Sequence, residues 1–211
     1  MQNVQVEHTR NFAIIGHSGD GKTSLGEAIL HRSGATAELG CVEDGTSVLN
    51  YLPEERSGHH TASVTSHVYG FESDGFHLTL VDTPGDSNYS GDGDVALQAL
   101  DGAILVLDAV EGAKSGTQRM LSEVRALDLA VICFINGLDR ERADVSGALG
   151  SLESLDVKPV LLSLSMGIQS SLSGAIDLLR MKAVYPDGRE GEIPGEWVDE
   201  AEARREQLVE S

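Results

Sequence analysis

A chain of 211 residues is long enough for one α/β domain with a sizeable core and an appendage, and its 34 acidic against 15 basic residues give a net charge of −19. That balance excludes nucleic-acid binding by the surface as a whole, because affinity for a phosphate backbone requires clustered Lys and Arg. Cys41 and Cys133 are too few for a secreted disulfide framework, no run approaches the roughly 18 to 20 apolar residues of a membrane span, and Met1 to Arg10 has no leader-like composition. A cytoplasmic protein without membrane partners or direct nucleic-acid binding is expected.

The apolar run Phe12 to Ile15 reads as a strand, and it leads into Gly16-His17-Ser18-Gly19-Asp20-Gly21-Lys22-Thr23. This is the pattern of a phosphate-binding loop. Gly16 and Gly21 let consecutive backbone N–H groups turn inward on a polyphosphate, Lys22 reaches the outer phosphates, and the Thr23 hydroxyl is a Mg²⁺ ligand. Lys22 to His31, with Leu25, Ala28 and Ile29 apolar, reads as a helix whose positive N-terminus faces the phosphates. Gly16 to Thr23 together with Ser24 are therefore candidate nucleotide-binding residues. A Gly-rich turn without ligand is the competing reading.

Ser33 to His60 has no sustained periodicity and reads as a long segment beside the nucleotide. Ala62 to Phe71 and Phe76 to Asp82 are expected to form a hairpin across the turn Glu72 to Gly75. The second of these strands ends in Asp82-Thr83-Pro84-Gly85, which places Asp82 to hold Mg²⁺ and the Gly85 N–H to meet a γ-phosphate. The same residues also make ordinary turns.

Ala103 to Asp108 and Ala130 to Asn136 are continuous apolar runs, as expected of buried parallel strands, with helices expected at Gly116 to Leu127 and Asp144 to Leu155. The rhythm is that of an α/β fold, an open and mostly parallel sheet with helices on both faces and ligands at the C-terminal strand ends. Asn136-Gly137-Leu138-Asp139 ends one such strand, which makes Asn136 and Asp139 candidate guanine-selecting residues, the Asp139 carboxylate able to accept both hydrogen bonds from the N1–H and 2-amino group of guanine. A helix N-cap or turn is the alternative. Beyond Lys158 the sequence suggests a strand at Val160 to Leu164, a short helix at Leu172 to Arg180, a strand at Met181 to Tyr185 and an acidic helix at Trp197 to Glu210.

Arg10 to Gly16, Gly45 to Glu55, Asp82 to Gly85, Asp101 to Gly112 and Gly174 to Val184 together resemble the N-terminal P-loop GTPase domain of elongation factor G, the ribosomal translocase, and in particular a divergent paralogue. The resemblance implies GTP and GDP as ligands, Mg²⁺ as cofactor, GTP hydrolysis and the ribosome as partner. It implies a GTPase core over residues 1–157 and the beginning of an inserted subdomain over 158–211. In the family that insertion is followed by a final sheet strand and a Ser-Ala guanine loop, so a fragment of a longer protein is expected.

The departures are specific. Asp86 stands where the family has a His that positions attacking water, which makes Asp86 and Gly85 the candidate catalytic residues and predicts slow hydrolysis. Gly137 replaces a Lys whose stem covers the guanine. Gly19 replaces the loop Asp, with Asp20 next. Ser63 falls on the family's switch Mg²⁺ ligand, with Thr61 as the alternative. A nucleotide-dependent or nucleotide-independent binding switch with little GTPase activity is the rival function.

Overall fold

The computed structural model describes residues 6–50, 52, 65–85 and 95–211. The chain divides into two compact units, one comprising Met1–Asp108 with Ala113–Asn136 and the other Ala109–Gly112 with Gly137–Ser211.

The first unit is built on β1 (Thr9–Gly16), α1 (Lys22–Arg32), β2 (His67–Ser73), β3 (Phe76–Asp82), β4 (Gly102–Asp108), α2 (Ser115–Ala126) and β5 (Ala130–Asn136). Its sheet has the order β2-β3-β1-β4-β5, antiparallel at the β2–β3 hairpin and parallel elsewhere. Alternation along β1 and β4 assigns the two faces. Ile14 and Val106 join Leu30 of α1, Leu49, Phe71 and Leu80 in one core cluster. Ala13, Ile15, Ala103 and Leu105, one position out of phase, are buried on the opposite face. There α2 packs on β1 and β4 with Met120, Leu121 and Val124 buried.

The fully buried positions of α1 are Lys22, Gly26, Glu27 and Leu30, while Leu25 and Ile29 pack half-buried against the same core and Ala28 is exposed. The reason is local: Leu49 sits so close to Gly26 that a Cβ there would strike its Cδ1, and the chain after the loop closes over that face. The run Ala130 to Asn136 does form a parallel strand, but at a sheet edge, with Val131, Ile132 and Phe134 exposed. The hairpin stands, although β2 begins at His67 rather than Ala62, and residues 62–64 lie outside the described residues.

The second unit holds α3 (Val145–Glu153), a four-stranded antiparallel sheet in the order β6 (Ser163–Met166), β7 (Gly174–Asp177), β8 (Lys182–Val184) and β9 (Glu190–Gly191), and α4 (Val198–Glu210). Met166, Ile176, Leu178 and Ala183 pack with Ala201 of α4, and Leu208 joins them. The short helix expected at Leu172 to Arg180 is instead strand β7 with the turn that follows. Ile176 and Leu178, two apart and fully buried, obey strand alternation. The Asp177 carboxylate accepts the backbone N–H groups of Leu179 and Arg180 at 2.9 and 3.0 Å, which ends the strand. The strand expected at Val160 to Leu164 is displaced to Ser163–Met166. No helix among the described residues is long and apolar enough to cross a membrane.

Candidate functional site

The loop between β1 and α1 needs its glycines for stated reasons. Gly16 has φ 145°, and a Cβ there would run into the Val106 carbonyl of β4 at 2.6 Å. Gly21 has φ 91°, and a Cβ there would collide with the Asn136 side-chain amide. Both are backbone conformations that L side chains rarely adopt. The loop is closed on itself by Lys22 Nζ, which donates to the His17 carbonyl at 2.9 Å. Burial pushes the Lys22 ammonium below the ordinary lysine range, and the carboxylates of Asp82 and Asp20 pull it back up.

Asn136, at the end of β5, donates from Nδ2 to the Asp20 carbonyl at 2.9 Å. Its side chain thus braces the phosphate loop.

The third strand completes this corner. Asp82 ends β3 opposite Ile14 of β1, and Thr83 binds the Ile14 carbonyl through both its N–H (3.3 Å) and its hydroxyl (2.8 Å). The Thr23 hydroxyl at the start of α1 donates to Asp82 Oδ2 at 2.6 Å, and Asp82 is fully buried. A hydroxyl and a carboxylate, both hard oxygen donors, fit Mg²⁺ and not a thiophilic metal. Gly85 lies so close to the loop that a Cβ would meet Lys22 Nζ and the Ser18 N–H, so the turn after β3 and the phosphate loop share one wall. The other named residues of this turn and switch, Asp86, Ser63 and Thr61, lie outside the described residues.

Asp139 belongs to the second unit. It is exposed, on a turn closed by the Arg140 N–H donating to the Gly137 carbonyl at 3.1 Å, and the Leu138 carbonyl accepts from the Gln169 N–H at 2.6 Å.

Two residues of the first unit escaped the sequence reading. Lys114, at the N-cap position of α2, places Nζ 2.8 Å from Asp20 Oδ1, so Lys22 is not the loop's only cation. No local pattern signals a contact made across 94 positions. Glu27 of α1 is fully buried and accepts the Ser47 hydroxyl at 2.5 Å and the Leu49 N–H at 2.9 Å. The available signal was its spacing three before Leu30 on the helix, since an acid on a buried face needs donors.

The chain is similar to known proteins. Over all of its length the chain is 33% identical to "Elongation factor G 2" of Geobacter metallireducens, and over 96% of it 35% identical to "Elongation factor G 2" of Streptomyces coelicolor. It spans about a third of the length of these curated relatives, 32% and 30% respectively. A crystal structure of a protein from Thermus thermophilus superposes with a TM-score of 0.87 at 30% identity, covering 95% of this chain and 30% of that one. The family described as "Elongation factor Tu GTP binding domain" matches residues 7–182, and with the phosphate loop, the Asp82 turn and the mostly parallel sheet in hand, the chain belongs to that family of translational GTPase domains.

Proposed function

We propose that the chain binds GDP and GTP at the Gly16–Ser24 loop, with Mg²⁺ held by Thr23 and Asp82, and hydrolyses GTP to GDP and phosphate slowly on its own as the switch domain of a ribosome-acting, cytoplasmic translation factor. Within it, residues 1–157 form the GTPase core and 158–211 begin an inserted subdomain, a division that the separate four-stranded sheet supports. The observation that carries the reading is the convergence of three chain segments on one corner: Lys22 folded onto His17, Thr23 hydrogen-bonded to Asp82, and Gly85 packed against Ser18 and Lys22.

In this reading the loop N–H groups and Lys22 bind and orient the phosphates, while Gly85 approaches the outermost one. When bound, Mg²⁺ neutralises charge on the phosphate oxygens. Asp139 selects guanine by accepting two hydrogen bonds, and Asn136 keeps the loop in position from β5. Hydrolysis is slow because a carboxylate at Asp86 adds negative charge beside an already anionic transition state.

Titration calorimetry of the chain with GDP, GTP and ATP in the presence of Mg²⁺ tests the binding. GDP and GTP should bind and ATP should not. ATP binding as tight as GTP would remove the guanine assignment, and no binding of any of the three would leave only the binding-switch function. For hydrolysis, Asp86→His should raise the single-turnover GTP rate while leaving GDP affinity nearly unchanged. A fall in rate would make Asp86 itself catalytic.

A further inference from the structure

The phosphate loop carries an anion of its own. Asp20 lies between Gly19 and Gly21, and its side chain has no exposed surface. Such a carboxylate repels a polyphosphate brought into the same loop, because burial removes the water that would screen the two. Lys22, the cation the phosphates need, stands two positions further on in the same loop, with Nζ folded onto the His17 carbonyl at 2.9 Å.

The answer comes from another element. Lys114 Nζ contacts Asp20 Oδ1 at 2.8 Å from the N-terminus of α2, and its side chain is 18% exposed. Of the four lysines in the chain, only Lys22 and Lys114 belong to the first unit, and both stand at this loop. Asp20 Oδ2 is buried with no hydrogen-bond partner among the described residues, and Lys114 is the ion-pair partner this carboxylate has among them. Asn136 holds the backbone carbonyl of the same residue, which leaves Asp20 gripped at both its main chain and its side chain.

We propose that Lys114 is a positioning residue for nucleotide binding: by pairing with Asp20 it neutralises the loop's internal anion, sparing Lys22 for the phosphates and holding the loop in its phosphate-accepting shape. The proposal rests on the nucleotide reading of the loop. It assigns to the start of α2 a share of phosphate affinity that the loop sequence alone does not contain. Because the effect is electrostatic, it grows with the number of phosphate charges and is weakened when the carboxylate is neutralised by other means.

The test is a double-mutant cycle on the chain, with GMP, GDP and GTP affinities measured by titration for the unsubstituted chain, Lys114→Met, Asp20→Asn and the double variant, each at low and high salt. Lys114→Met should weaken GDP about 30-fold to 100-fold and GTP more than GDP, with the smallest change for GMP, as expected when one neutralising charge is lost from a buried site. Asp20→Asn should tighten GDP severalfold. The double variant buries no unpaired charge, and it should fold and regain GDP affinity to within about fivefold of the unsubstituted chain. Should Lys114→Met fail to fold, the single Asp20→Asn and the double variant still decide the matter. Equal losses for GMP, GDP and GTP, or a double variant as weak as the sum of the single changes, would reduce Lys114 to a structural brace and overturn the proposal. Failure of the unsubstituted chain to bind GDP at all would overturn the nucleotide reading itself, a different outcome from unchanged binding in Lys114→Met.

Discussion

The two units of this chain deal with charge in opposite ways. In the five-stranded unit, Asp20, Lys22, Glu27, His67, Asp82 and Asp108 are all buried among the described residues, and Asp20, Lys22 and Asp82 gather at the ends of β1 and β3. In the four-stranded unit every buried residue that is described is apolar, and the ion pairs Arg180–Asp177, Arg180–Glu190, Arg189–Asp187 and Arg204–Glu200 lie at the surface. The first arrangement costs stability unless each charge is met by a partner or a ligand, while the second is nearly neutral to folding. The difference identifies the five-stranded unit as the one shaped by chemistry and the four-stranded unit as one shaped by packing.

The comparison can be pressed hardest at Lys22. Lys22→Ala should weaken GDP binding by about a thousandfold or more, ~4 kcal/mol, because it removes the cation folded into the loop. Retained GDP affinity in that variant would mean that buried charge here serves folding alone.

A buried acid remote from the loop separates stability from ligand binding. Glu27→Ala strands the Ser47 hydroxyl proton in the core, leaves the Leu49 N–H only its longer bond to Ser47 Oγ at 3.2 Å, and should lower unfolding stability by about 3 kcal/mol in urea titration. A loss below ~1 kcal/mol would show that these donors find other partners.

Asp139 offers a way to break the contrast, since it is an exposed charge of the second unit to which a ligand role is given. Asp139→Asn should cost about 2 kcal/mol of GTP affinity and admit XTP, because the amide reverses one hydrogen bond while keeping shape. Unaltered affinities for both nucleotides would return Asp139 to the class of surface turn residues.

The smallest effect is expected at Arg180. Its side chain donates to Asp177, and that bond together with two backbone N–H groups holds the Asp177 carboxyl below the usual carboxylate range. A group depressed in the folded state contributes above its unfolded pKa and loses that contribution as pH falls through the folded value. Arg180→Ala should therefore shift the thermal midpoint by no more than about 2 °C at pH 6, and the difference should shrink as pH drops below about 4. A larger shift at pH 6 would mean that the second unit also depends on its charges.

What could be read in advance follows the range over which each signal acts. The phosphate loop, the hairpin around Asp74 and strands β4 and β5 rest on spacing within a few residues, and they appear where spacing puts them. Strand β7 did not, because Leu172, Ile176 and Leu179 fit a helical stripe as well as Ile176 and Leu178 fit a strand, and only the partners β6 and β8 decide between them. The exposed faces of β5 follow from its edge place in the sheet, which composition does not encode. Lys114 and Glu27 matter through contacts with Asp20 and with Ser47 and Leu49, each made between residues 20 or more positions apart, beyond the reach of local patterning.

The grip of α1 on the segment after it has a consequence for chain connectivity. The helix holds the near end of that segment, where the Ala35 N–H donates to the Leu30 carbonyl at 2.9 Å, and through Glu27 it holds the far end at Ser47 and Leu49. Ala37, Glu38 and Leu39 between these anchors are exposed. A protease cut there would leave two stubs that α1 still retains, so the peptide bond could be lost while the fold on both sides of the cut persists.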